Sequence, residues 1–165
     1  MSIIERLGLW LGALSAAALT ALSGPVTADT QQDCFGPNGS GRIEACSRLL
    51  ELPLPPLEKS YAFAMRALAY SLQGRYELAI PDYDRAIDIA PDFAVALNNR
   101  AWAYYKSGLY EKAKPDVARA LQLSPNSPHA LDTRAHVRQA LGDQGPEHEP
   151  ATGQDESRAD LQLRR

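Results

Sequence analysis

The sequence predicts an all-α chain: a short right-handed α-solenoid of antiparallel helix pairs, about six helices in all. Three observations carry that expectation. The middle of the chain repeats itself at a period of about 34 residues, the mark of stacked helical units. Within each copy apolar residues fall at helical spacing, with Gly and Pro where a helix has to end. Composition also shifts sharply near both ends, which leaves room between them for one modest domain.

A short basic start, Met1 to Arg6, leads into an apolar run from Leu7 to Leu22 rich in Leu and Ala. The turn-prone Ser23-Gly24-Pro25 and then Val26-Thr27-Ala28 follow, with small residues at both ends of the triplet. That order is the n-region, h-region and cleavage site of a secretory signal peptide over residues 1–28, with cleavage after Ala28. The alternative is an uncleaved anchor, because the apolar run is barely short of a bilayer span. The expected location is therefore periplasmic or secreted, and at a membrane only if the N-terminal helix is retained.

Cys34 and Cys46 are the two cysteines of the chain. In an oxidising compartment an even count at short spacing points to a disulfide. Two unpaired thiols, one of them buried, are the other possibility. Their spacing fits no zinc pattern, which would call for further Cys or His nearby. Arg42 to Leu50 reads as one helix, similar to the second helix of the copies that follow, and Pro53-Leu54-Pro55-Pro56 as the link out of it. Residues 29–59 are thus expected to form a half repeat.

Residues 60–93 and 94–127 align without a gap. Identical pairs include Ala62/Ala96, Arg66/Arg100, Ala67/Ala101, Tyr70/Tyr104, Gly74/Gly108, Tyr76/Tyr110, Ala79/Ala113, Pro81/Pro115, Asp82/Asp116, Ala86/Ala120 and Pro91/Pro125. Each copy reads as helix, turn, helix. Phe63, Ala67 and Tyr70 share one helical face, as do Leu97, Ala101 and Tyr104. Gly74 and Gly108 end those helices, where a left-handed cap residue is wanted. Ala79, Tyr83, Ala86 and Ile87 line the inner stripe of the next helix, matched by Ala113, Val117, Ala120 and Leu121. Pro91 and Pro125 close each unit because proline cannot continue a helix. Pro81 and Pro115 stand inside the second helices, so a late start or a bend is expected there.

Ser127-Pro128 reads as an N-cap followed by proline at the first helical position. Leu131, Ala135 and Gly142 then fall in register with the earlier copies, so residues 128–142 are expected to be a capping helix. From 143 to 165 the chain is polar and rich in Gly, Pro, Glu and Asp, with Leu161 and Leu163 the exceptions. Such a composition cannot offset its ordering entropy, and the segment reads as a disordered tail.

No catalytic constellation appears: no nucleophile elbow, no phosphate-cradling glycine loop and no His-Glu-x-x-His. Asp82, Asp84 and Asp88 are expected along a solvated helix face. The chain carries a formal net charge of -3, yet its body between Asp29 and Gly142 is formally neutral. With no basic stripe there is no electrostatic footprint for nucleic acid. His129, Asp132 and His136 share one helical face and are the sharpest metal candidate. They lack a fourth ligand, so no metal or other cofactor is expected, and no small-molecule substrate.

The two copies resemble the tetratricopeptide repeat (TPR). Its small, aromatic, Gly, Ala and Pro signature falls on Ala67, Tyr70, Gly74, Tyr76, Ala79, Ala86 and Pro91, and again on Ala101, Tyr104, Gly108, Tyr110, Ala113, Ala120 and Pro125. The segment from Asp33-Cys34 to Leu49 resembles, more loosely, the N-terminal portion of small exported bacterial TPR proteins. The resemblance implies a scaffold for protein partners and not an enzyme. It also implies that the outward stripe of each first helix lines a concave surface where peptides lie. Here that stripe holds Tyr61, Ala64, Met65, Leu68, Ser71 and Leu72, then Val95, Asn98, Asn99, Trp102, Tyr105 and Lys106, then His129, Asp132, Thr133, His136 and Gln139. The partner-binding set expected from it is Tyr61, Met65, Leu68, Asn98, Asn99, Trp102, Tyr105, Lys106, His129, Thr133 and His136. One subclass of the family clamps a partner's terminal carboxylate with Lys, Asn and Arg. Asn99 matches that set, but Ala64, Leu68 and Thr133 replace its other members, so a clamp is not expected. The function implied is a non-catalytic adaptor in the bacterial envelope that binds a peptide or protein. The alternative is a structural subunit of a membrane-anchored envelope assembly.

Overall fold

The computed structural model describes residues 28–37 and 41–143. Residues 1–27, and with them nearly all of the expected signal peptide, lie outside the described residues, as does the tail beyond Asp143. Among the described residues there are seven helices and no strands: α1 (Ala28–Phe35), α2 (Arg42–Leu50), α3 (Pro56–Leu72), α4 (Tyr76–Ile89), α5 (Ala94–Lys106), α6 (Tyr110–Leu123) and α7 (Pro128–Ala140). Each helix packs on the next in sequence, and α1, α3, α5 and α7 also touch in series. Every second helix therefore lines one side of the stack, which is the arrangement of an α-solenoid.

The count exceeds the expected six because the N-terminal half repeat is a complete short pair. α1, Ala28–Phe35, is polar and carries no helical run of apolar residues. A segment of eight residues does not hold a helix alone. It is held by a disulfide from Cys34 to Cys46 in α2, with both cysteines fully buried. Arg42 adds a hydrogen bond from its guanidinium to the Gly36 carbonyl. The cysteines pack with Ala45, Leu49 and Ala62, so the bridge also seals the N-terminal end of α3.

The repeat units follow their expected pattern. Gly74 and Gly108 adopt φ of 73° and 74° after α3 and α5. The next residue's N–H then reaches back to the helix, Arg75 to the Tyr70 carbonyl and Leu109 to the Tyr104 carbonyl, each at 2.9 Å. This is the six-to-one closure of a left-handed helix end. Ser127 caps α7, its Oγ accepting from the Ala130 amide, with Pro128 in the first turn. The expected late start at Pro81 and Pro115 does not occur. α4 and α6 begin at Tyr76 and Tyr110, ahead of each proline, and run through it. Both prolines are exposed, so each ring faces water. The one backbone bond each omits would have ended on a carbonyl near the helix start.

The core is built from small residues. Ala67, Ala79, Ala86, Ala101, Ala103 and Ala113 are fully buried, and they let paired helices approach closely. Phe63 and Tyr83 fill the space between the α3–α4 pair. Tyr83 heads the largest wholly buried side chains among the described residues. Burial pushes its phenol up to about 12, partly offset by Ser71 and Asn99. No well-formed hydrogen bond closes on its hydroxyl.

One expectation about the acidic residues is overturned. Asp82 does not lie on a solvated face but is 6% exposed. Its carboxylate takes a two-pronged bond from Arg66, Nε to Oδ2 at 2.6 Å and Nη2 to Oδ1 at 2.7 Å. The second repeat copies it, with Arg100 Nε and Nη2 both 2.7 Å from the Asp116 carboxylate. Each guanidinium also reaches back to the preceding unit: Arg66 to Ser47 Oγ at 3.0 Å and Arg100 to Asp84 at 2.7 Å. Asp84 is half-buried by that contact, and Asp88 alone of the three is exposed. These bonds hold both guanidinium groups above their ordinary range, against the opposing effect of burial.

Candidate functional site

The first helices set their outward stripes side by side, because α3, α5 and α7 run along one side of the stack. The stripe is apolar on α3 and polar on α7. Between α5 and α7 it deepens into a groove of about 390 Å³. One wall is Val95, Asn98, Asn99 and Trp102 from α5; the other is His129, Asp132 and Thr133 from α7. Ala94 and Ala130 belong to those two walls, and Ala120 and Ser124 at the end of α6, together with the capping Ser127, complete the lining. The stripe pattern missed the last three, because it follows first helices only. The Ser127-Pro128 capping signal was the available clue that this link sits at the groove.

Of the expected partner-binding residues, Asn98, Asn99, Trp102, His129 and Thr133 line the groove. Tyr105 and His136 stand beside it and join Trp102 in an aromatic cluster. Trp102 lies 5.2 Å from Tyr105 and 5.5 Å from His136, and Tyr105 is 5.5 Å from His136. The Lys106 ammonium sits 5.8 Å from the Trp102 ring. Tyr61 lies apart, edge-on to Phe93 at 4.9 Å. Met65 packs against the disulfide cluster, and Leu68 is half-buried outside the groove lining. Thr133 turns its hydroxyl to the His129 carbonyl at 2.8 Å.

The polar character of the groove is specific. Its lining holds one carboxylate, Asp132, and neither Lys nor Arg. Ala64 is buried and Thr133 is committed to its own helix. The positions where a carboxylate clamp would need cations therefore supply none. Asn98 is 9% exposed, and its amide oxygen is buried with no partner. Leaving such an acceptor unmade costs about 1–3 kcal/mol, which a ligand N–H would recover. His136 Nδ1 lies 2.9 Å from the Asp132 carbonyl and 3.5 Å from its carboxylate. The metal candidate is not assembled: among the described residues no three His, Cys, Asp or Glu side chains converge to hold a cation.

Residues 60–93 and 94–127 each match the tetratricopeptide repeat family. No curated protein matches the sequence. Among solved structures, the first TPR of Spaghetti (RPAP3) bound to the HSP90 peptide SRMEEVD aligns with a TM-score of 0.61. It is 21% identical over 71% of this chain and 93% of that chain. An identity that low establishes a shared fold. Residues 60–127 thus match two tetratricopeptide repeats in sequence, and they are set in an all-α solenoid between a disulfide-tied helix pair and a single terminal helix.

Proposed function

We propose that this chain is a non-catalytic adaptor of the bacterial cell envelope that holds a peptide or protein in the α5–α7 groove. The observation that carries the reading is the unpaired Asn98 amide oxygen in a groove walled by Trp102. An extended partner backbone supplies the missing donor, and Trp102 with Val95 supplies apolar contact. The solved TPR neighbour holds a peptide, which is consistent with this use of the fold. The envelope assignment draws on the tripartite N-terminus and the bridged cysteines, since such bridges persist in oxidising compartments.

The test is capture from a periplasmic fraction by the immobilised chain and by its Trp102→Ala variant, with thermal stability measured on the same samples. Loss of about 2 kcal/mol of affinity at unchanged Tm supports the groove. Unchanged capture by the variant overturns it. A permanent structural role in a membrane-anchored assembly is the rival reading, favoured by Leu57 and Leu72, which are 61% and 75% exposed. An intact mass that begins at Met1 in the native compartment would support that rival.

A further inference from the structure

Two groups of the α5–α7 groove call for the same chemistry from an occupant. Asn98 is 9% exposed, and its buried amide oxygen has no donor. Asp132, with 66% of its side chain exposed, supplies the one carboxylate of a lining without Lys or Arg. We infer that the segment held there is cationic, an inference that rests on the groove being a peptide site. An arginine or lysine side chain of the partner lies between Trp102 and Asp132, and a backbone N–H of the same segment donates to Asn98 Oδ1.

The placement of the aromatic groups suits a cation. The Trp102 and His136 rings are 5.5 Å apart and nearly perpendicular, and His136 Nδ1 is 3.5 Å from the Asp132 carboxylate. Carboxylate and indole are thus one imidazole apart, within the length of a side chain whose charged end pairs while its stem or guanidinium plane rests on the ring. Indole attracts a cation more strongly than the other aromatic side chains. The exposed Lys106, outside the lining, already holds its ammonium 5.8 Å from the Trp102 centroid. Arginine suits the place better than lysine, because its planar fork stacks and donates together. An acidic segment would instead bring like charge to Asp132, with no cation in the lining to offset it. Toward α3 the surface turns apolar through Val95, 61% exposed, and through Phe93 against Tyr61. The partner's residues on that side of the cation should therefore be apolar.

The probes are three pools of amidated hexapeptides with a neutral dye at the N-terminus, read by fluorescence polarisation. Each has arginine, citrulline or glutamate at one central place and mixed uncharged residues elsewhere; citrulline keeps the shape of arginine without its charge. The arginine pool should bind about three-fold tighter than the citrulline pool and about ten-fold tighter than the glutamate pool. Asp132→Asn should erase the difference between arginine and citrulline, as should salt at about 0.5 M. Lys106→Ala should widen it by about two-fold. Asn98→Leu, with circular dichroism confirming the fold, should weaken all pools alike by about five-fold. Equal binding of the arginine and glutamate pools, or an arginine preference that survives Asp132→Asn, overturns the proposal. If the pools bind without regard to charge and Trp102→Ala abolishes that binding, the cationic assignment falls and the adaptor reading stands. If no pool binds, the proposal falls, and the adaptor reading is decided separately by whether capture depends on Trp102.

Discussion

Removing Asp82 and removing Asp116 delete the same carboxylate from the same place in two successive repeats, yet the costs should differ. In the first repeat the Arg66 side chain is 21% exposed and that of Asp82 8%. Breaking a buried pair costs about 3–5 kcal/mol, because the surviving charge is left without compensation. Arg66 touches water and keeps Ser47, so the low end applies, and Asp82→Ala should cost about 3 kcal/mol. Arg100, by contrast, keeps a second carboxylate, Asp84, at 2.7 Å. Asp84 is 46% exposed at its side chain, and such a contact is worth about 1 kcal/mol. Asp116→Ala should therefore cost about 2 kcal/mol, and Asp84→Ala about 1 kcal/mol. Urea unfolding followed by helical circular dichroism measures all three, with a shared slope so that midpoints translate directly into stability. If Asp116→Ala costs as much as Asp82→Ala, the Asp84 contact does not compensate, and the account of a shared guanidinium is wrong.

Tyr83→Phe should be neutral or stabilising by about 1 kcal/mol, since it deletes a buried hydroxyl without a well-formed bond. The phenol is neutral in both states below about pH 10; above it the unfolded chain ionises while the folded Tyr83, raised to about 12, does not. Stability should thus fall between those values by up to about 3 kcal/mol, and Tyr83→Phe should remove that part of an alkaline titration of Tm. Replacing Cys34 and Cys46 by Ser should cost about 3 kcal/mol for a loop this short, with hydrogen exchange rising first in α1. Protection of α1 equal to that in α3 would refute its dependence on the bridge. Gly108→Ala should cost about 1 kcal/mol from its positive φ alone, because a Cβ there meets nothing within 4 Å. A thermal melt tests this, and no loss would show that the turn relaxes.

The repeat register made α3 to α6 legible, because alanine, glycine and proline at fixed places state both the packing distance and the helix ends. α1 was not legible. Its sequence has no apolar period, and its helix depends on a covalent tie to α2 made by residues that local patterning treats as isolated. Asp82 misled for a related reason. Helical periodicity counts a carboxylate as solvated, and the signal that it is not lies in Arg66 and Asp82 recurring together as Arg100 and Asp116. At the candidate site the outward stripe was readable, but not which part of it forms a groove. Met65 and Asn99 hold matching places, yet the α1–α2 pair covers Met65 while Asn99 faces α7.

A core of alanine reverses the usual mutational landscape of a folded domain. Truncation scanning, which replaces each side chain by alanine, passes over Ala67, Ala79, Ala86, Ala101, Ala103 and Ala113 without touching them. It would register Phe63, Tyr83 and Asp82 but leave the alanine contacts between them unprobed. The vulnerable direction is enlargement. One added pair of methyl groups at such a position has no space to enter and must push two helices apart, at about 1–3 kcal/mol. In a stack this short a displaced pair also shifts the units beyond it. A valine scan rather than an alanine scan is what would trace the packing skeleton of the solenoid.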